Sequence, residues 1–296
     1  WLWVNNKLMI TKTLLDGIIT AAYTPIKNDL IDLKSFERLI TLQKKGKING
    51  LVLAGTTGEG KYLLPEEKNE LISTTAGIVS RETKIIVGIE TSSIKETVEH
   101  INRINLLNID SLMLSIPKFF GNNNDKITNY FLSIAGLIDF PIMLYLNPSR
   151  HNIDLDDELI SRLTQIKQIV ALKDAGTDYK RPFRIIPRIN KDFSLLAGND
   201  NLFFPFVENG ANGIVSVLSN ILPKTYIKLY ENMLDNNKEI VINLQQKLNK
   251  IYDKIFARSN PLGIKYLANC LVLSFCIHYD GWWIQKRYKK ISTNYW

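Results

Sequence analysis

The chain has 296 residues, 45% hydrophobic and 22% charged, which is the composition of an ordinary globular protein with one large domain or two average ones. Folding at that length buries roughly 75% of the surface of the unfolded chain, so a core forms without metal or disulfide staples. A net charge of +8 admits nucleic acid, membrane or anionic-substrate binding, but the positive residues are scattered and no nucleic-acid recognition motif accompanies them.

The one dense basic cluster, Lys286, Arg287, Lys289 and Lys290, stands near the end of the chain. The longest apolar runs, such as Leu271 to Ile277, fall well short of the ~20 residues that span a bilayer, so no membrane partner is expected. The start, Trp1 to Lys12, lacks an apolar stretch followed by a cleavage site, and a cytoplasmic location is expected. Cys270 and Cys276 lie six apart in an apolar segment with no histidine cluster nearby. They read as buried structural thiols in a reducing compartment rather than as metal ligands, and no metal site is expected.

Short apolar runs alternate with stretches of helical period along the chain. Gly17 to Tyr23 is the first strand, and Asp32 then N-caps a helix to about Lys45. A strand at Gly50 to Ala54 precedes a helix opened by Pro65, Glu66 and Glu67, with proline in the first turn and acids at the positive end of the dipole. Further strands are predicted at Lys84 to Val87, Ser111 to Ser115, Pro141 to Tyr145, Ile169 to Leu172, Phe193 to Leu196 and Gly213 to Val217. Helical segments separate them. Several runs are apolar throughout instead of alternating, which suits parallel strands buried on both faces.

Eight such units predict an α/β fold, a (β/α)8 TIM barrel. The alternative is an open doubly wound sheet, which the lack of a Gly-rich fingerprint after the first strand weakens. No strand is predicted after Pro223. The rest reads as three or more helices, the clearest from Lys238 to Phe256, forming a C-terminal helical extension on the barrel.

In a barrel, polar residues at the C-terminal strand ends face the active site. Strand two ends in Gly55-Thr56-Thr57-Gly58-Glu59, whose hydroxyls and backbone N–H groups suit a carboxylate. Strand five ends in Tyr145, then Asn147-Pro148-Ser149-Arg150, and strand seven ends in Gly198-Asn199-Asp200. Strand six ends in Lys173 after Ile169-Val170-Ala171-Leu172. An amine desolvated in a barrel mouth has a lowered pKa and becomes a nucleophile toward a carbonyl, and a tyrosine one strand away can move protons. Taken singly, Lys173 also reads as an exposed lysine pairing with Asp174, Tyr145 as an aromatic plug, and the two threonines as turn residues.

Together, GTTGE after strand two, Tyr145 with Pro148-Ser149-Arg150, ALKDAG around Lys173, LLAGND, GIVSV and Asn260-Pro261 resemble one family in order and spacing. It is the pyruvate-dependent class I aldolase family, which includes dihydrodipicolinate synthase and N-acetylneuraminate lyase. The resemblance covers about residues 9 to 268. It implies a cofactor-free lyase in which Lys173 forms an imine with pyruvate, Tyr145 transfers protons and Thr57 links Tyr145 to a hydroxyl relay. It further implies that Thr56 and Thr57 hold the pyruvate carboxylate, and that Gly198 and the carbonyl of Val215 line the site. Arg150, in Pro-Ser-Arg, implies L-aspartate 4-semialdehyde as second substrate, on the route to diaminopimelate and lysine. A homotetramer is also implied, with a barrel over residues 9–223 and a helical region over 224–296 that is atypical after about 268.

Three departures stand out. The relay's third member is usually a tyrosine from a neighbouring subunit, where this chain has Phe119, so slow turnover is expected. Asparagine usually follows the strand-five tyrosine, where this chain has Leu146. The tail, LVLSFCIHYDGWWIQKRYKK, lacks the usual segment, and Met9 stands where members usually begin, so residues 1–8 read as an extension or a start-site artefact. Gly60, Lys61, Ser92 and Lys118 occupy positions that bind lysine as an inhibitor in some relatives, and feedback inhibition is not expected. Two other functions remain open: a lyase for sugar-like 2-keto acids, which the Arg150 guanidinium disfavours, and a catalytically silent barrel with a binding role.

Overall fold

The computed structural model describes residues 3–4, 7–8, 13–90 and 92–271. Cys276, the basic cluster at 286–290, Met9 and the atypical tail beyond 271 lie outside the described residues. Eight parallel strands close into a barrel: β1 (Gly17–Ala21), β2 (Gly50–Leu53), β3 (Lys84–Ile89), β4 (Ser111–Ser115), β5 (Ile142–Leu146), β6 (Ile169–Asp174), β7 (Ser194–Ala197) and β8 (Gly213–Ser216). They are joined in sequence order, and β8 returns to pair with β1. The open doubly wound sheet is thereby excluded.

The strands are buried along nearly their whole length, as their continuous apolar runs require of a barrel filled inside and jacketed by helices outside. The closing seam needs glycine. A Cβ on Gly213 would lie 2.0 Å from the Gly17 carbonyl oxygen, and Gly17 has φ +70°. Two glycines there let the last strand approach the first closely enough to bond.

The helices α1 (Leu33–Gly46), α2 (Pro65–Ile78), α3 (Ile94–Asn102) and α4 (Asn124–Leu137) follow the first four strands. As predicted, Asp32 caps α1, accepting from the Ser35 amide at 3.1 Å. Phe36, Leu39, Ile40 and Gln43 are the buried stripe of α1, at helical spacing. Pro65 opens α2, and the Glu67 carboxylate accepts from the Leu64 amide at 2.9 Å.

The second half is tighter. It holds α5 (Pro148–His151), α6 (Asp157–Leu163), α7 (Arg181–Ile185) and α8 (Phe203–Glu208), all short. After the barrel come α9 (Pro223–Leu234), α10 (Lys238–Phe256) and α11 (Leu262–Cys270), with α10 at the predicted bounds. The α10 helix docks on α9 and on the turn after β7, where Gln245 Nε2 donates to the Asp200 carbonyl at 3.1 Å. Cys270 corrects an expectation: it is exposed at the end of α11, because the last turn points it away from the face that buries Gly263, Ile264 and Ala268. Among the described residues, no helix is long and apolar enough to cross a membrane.

Candidate active site

The C-terminal ends of β2 to β5 open into a cleft of about 300 Å³, lined among others by Thr56, Glu90, Tyr145, Arg150, His151 and Asn260. Beside it, Lys173 and Tyr145 are register partners on β6 and β5, so their side chains share one face of the sheet. The Lys173 ammonium stands 4.3 Å from the centroid of the Tyr145 ring. Lys173 is only 6% exposed. Burial holds its pKa below the ordinary lysine value, Arg150 adds to that lowering, and Tyr145 and Asp200 oppose it. The next residue, Asp174, faces the other way and takes a 2.8 Å ion pair from Arg181 Nη1. Lys173 is therefore not an exposed lysine neutralised by its neighbour. It is a desolvated amine beside a phenol.

Tyr145 is held by Asn147, two residues on and on the same face. Asn147 Nδ2 donates to the Tyr145 hydroxyl at 2.8 Å. Its Oδ1 accepts from Ser149 Oγ at 2.8 Å and from the Arg150 amide at 3.2 Å, which caps α5 and fixes the amide's orientation. The asparagine missing at Leu146 is thus present one position later, while Leu146 is fully buried. The alternation of the strand explains the difference: residue 146 points to the other face, and only residue 147 can return to the phenol.

Thr56 lines the cleft and Thr57 is buried beside it. The loop bends tightly, with Ala54 at φ +51° and Glu59 at φ +55°. A Cβ on Gly60 would meet the Ala54 carbonyl oxygen at 1.7 Å, so this turn admits only glycine there. Glu59 makes an ion pair with Lys265 of α11. Thr57 Oγ1 accepts from Asn260 Nδ2 at 3.1 Å, and Arg150 Nη2 donates to the Asn260 carbonyl at 3.4 Å. Thr57 and Tyr145 are each paired with an asparagine rather than with one another.

Gly198 follows β7, its amide donating to the Asp174 carbonyl at 2.6 Å, and a Cβ there would meet the Ala175 backbone at 2.8 Å. Val215 is fully buried in β8. Neither lines the cleft. Phe119 is 57% exposed and rests on Phe120, with ring centroids 4.4 Å apart, outside the cleft of its own chain.

Three residues on the site were given no role in the sequence reading: Asn147, His151 and Asn260. Asn147 carried a signal, since Asn before Pro is an N-cap followed by a first-turn proline. Asn260 stood in a noted segment, but its contact with Thr57 spans 203 residues of sequence and leaves no local trace. For His151 there was no signal at all.

A (β/α)8 barrel with a desolvated lysine and a tyrosine at adjacent strand ends defines a class, the barrel enzymes with an amine poised at the mouth. The sequence model of the dihydrodipicolinate synthetase family matches residues 14–276. The chain is 37% identical over 260 residues to a 4-hydroxy-tetrahydrodipicolinate synthase of Rickettsia bellii (strain RML369-C), covering 88% of each chain. The structure of the 4-hydroxy-tetrahydrodipicolinate synthase of Methylacidiphilum fumariolicum SolV superposes with a TM-score of 0.84 at 30% identity, over 94% of this chain and 95% of that one. A dihydrodipicolinate synthase of Cyanidioschyzon merolae with lysine bound gives 0.83 at 27% identity, over 88% and 90%. The chain belongs to the dihydrodipicolinate synthetase family, and it is a lyase.

Proposed function

We propose that this enzyme is a 4-hydroxy-tetrahydrodipicolinate synthase, which condenses pyruvate with L-aspartate 4-semialdehyde through an imine on Lys173. The observation that carries this reading is the burial of the Lys173 amine against the Tyr145 ring. The neutral amine attacks the C2 carbonyl of pyruvate, and the carbinolamine loses water to give the imine. Loss of a C3 proton turns the imine into an enamine, whose carbon attacks the aldehyde. Cyclisation then releases the product and returns the free amine. The protonated imine is itself the electron sink, so Tyr145 need only carry protons.

Thr56 and Thr57 hold the pyruvate carboxylate in this reading, with Gly198 and the Val215 carbonyl beside it. Arg150 faces the cleft and takes the carboxylate of the aldehyde substrate. A polyol would call for neutral hydrogen-bonding groups at that place, which disfavours sugar-like 2-keto acids. The barrel over residues 9–223 is the catalytic unit, α11 and the segment before it brace its mouth, and the enzyme works in the cytoplasm as a homotetramer.

The test is reduction with borohydride in the presence of pyruvate, followed by peptide mass mapping. The expected result is one pyruvate-derived adduct, at Lys173. An adduct at another lysine, or none on folded protein, rejects the mechanism.

A further inference from the structure

One group on the cleft wall has no part in the chemistry described so far. His151 ends α5, and its ring meets the Tyr145 ring edge-on, with centroids 5.5 Å apart. Its Nδ1 is buried without a hydrogen-bond partner among the described residues. A buried nitrogen without a partner is destabilising, so its retention beside the phenol calls for a reason. The Tyr145 hydroxyl supplies one. Its oxygen accepts from Asn147 Nδ2, and because that amide can only donate, the hydroxyl proton is left to be given elsewhere. Phe119, at the usual relay position, has no hydroxyl to receive it.

We propose that His151 is the proton acceptor and store of this site, exchanging protons with Tyr145 directly or through one water. The proposal rests on the Schiff-base reading above. When the imine becomes the enamine, the pyruvate C3–H bond breaks and its electron pair forms the C2–C3 double bond. The proton is taken up at the Tyr145 oxygen as the hydroxyl passes its own proton to Nδ1. The imidazolium so formed keeps that proton, or trades it with solvent through Nε2. When the new carbon–carbon bond forms, the aldehyde oxygen takes a proton back along the same path. No proton is left over and no co-reactant is needed.

The imidazole must be neutral to accept. Burial, then the cations Arg150 and Lys118, hold the His151 pKa below the ordinary histidine value. The charged and titratable groups around it are Arg150 on its own helix, Lys118 from the loop after β4 and Tyr145 on β5. Glu59, Lys61 and Glu90 border the same mouth, and Lys173 stands against the other partner, the Tyr145 ring.

The test follows exchange of the pyruvate methyl protons for deuterium by NMR, in D2O with the full enzyme and no second substrate. Borohydride trapping of the imine is measured in parallel. His151→Gln replaces the imidazole with a non-titrating amide of similar size and is expected to trap as much pyruvate as the wild type while exchanging about tenfold more slowly or worse. Added imidazole is expected to restore part of the rate in His151→Ala. Exchange within twofold of wild type at equal trapping overturns the proposal. Failure of the wild type to trap pyruvate overturns the Schiff-base reading instead. If both variants misfold, the wild-type profile decides. Exchange per trapped imine is expected to fall as pH drops below the ordinary histidine range, and a profile flat down to the lowest pH at which the enzyme stays folded overturns the proposal.

Discussion

At the scale of single residues, the site is a set of short polar contacts on a rigid rim, and each can be removed separately. Arg150 is expected to read the carboxylate of the aldehyde. Arg150→Ala should raise the KM for aspartate semialdehyde about tenfold or more while changing that for pyruvate little, since a charge-assisted hydrogen bond contributes about 1.5–3 kcal/mol. Equal effects on the two substrates would sink this assignment. Asn260 positions rather than reacts: it holds Thr57 and is touched by Arg150. Losing one neutral hydrogen bond of about 1 kcal/mol should lower kcat/KM for pyruvate roughly fivefold in Asn260→Ala, with the borohydride adduct still at Lys173. The lowered pKa of Lys173 also has a kinetic sign. The free amine is the attacking form, so trapping should speed up as pH rises and level off below the pH at which an ordinary lysine titrates.

At the scale of elements, each helix carries a local signal and a tertiary load, and the two can be separated at α1 and α2. Asp32 caps α1 through the Ser35 amide, and Asp32→Ala should cost about 1 kcal/mol in urea unfolding without touching turnover. The α2 helix carries an opposite effect. Lys68, on its buried face, is desolvated, which pulls its pKa down to about 8, with Glu90 partly opposing the shift. An unfolded lysine titrates at 10.5. Between those values the unfolded chain binds a proton that the folded one does not, so stability from this group rises with pH across that window. Below it, both states are protonated and the full penalty is present. Lys68→Met should therefore stabilise the enzyme at pH 7 by roughly 1–3 kcal/mol, and its advantage should shrink as pH climbs from 8 toward 10.5. An advantage that stays constant with pH would mean that packing, not ionisation, is responsible.

At the scale of the whole molecule, the barrel and the described helical region after it meet at the cleft. The Glu59–Lys265 pair and the Asn260–Thr57 bond tie α11 and the segment before it to the loop after β2. The proposed homotetramer should appear in sedimentation equilibrium as four times the chain mass. Phe119, exposed in the single chain, is the side chain expected to become protected there. Phe119→Tyr should add a second proton path in the tetramer. It is expected to raise kcat modestly in the wild type and more strongly in His151→Gln. No gain in either background would remove position 119 from proton transfer.

Much of this was legible in the sequence because it depends on local pattern. Short runs of four to seven residues, several of them apolar throughout and spaced by helical stretches, specify parallel strands buried on both faces, and eight of them close a barrel. A lysine ending such a run can lose its water, and together with Tyr145 and the GTTGE turn it marks Lys173. Asp32 and Pro65 announce helix starts through backbone groups only a few residues away. Tertiary structure decided the rest, because the contacts that matter join residues far apart or depend on which face a side chain takes. It put Asn147 rather than residue 146 on the phenol, brought Asn260 to Thr57, turned Cys270 outward and buried Lys68. It also left the Nδ1 of His151 without a partner among the described residues, with its ring against that of Tyr145, because burial and hydrogen bonding belong to the folded chain as a whole and not to any window of its sequence.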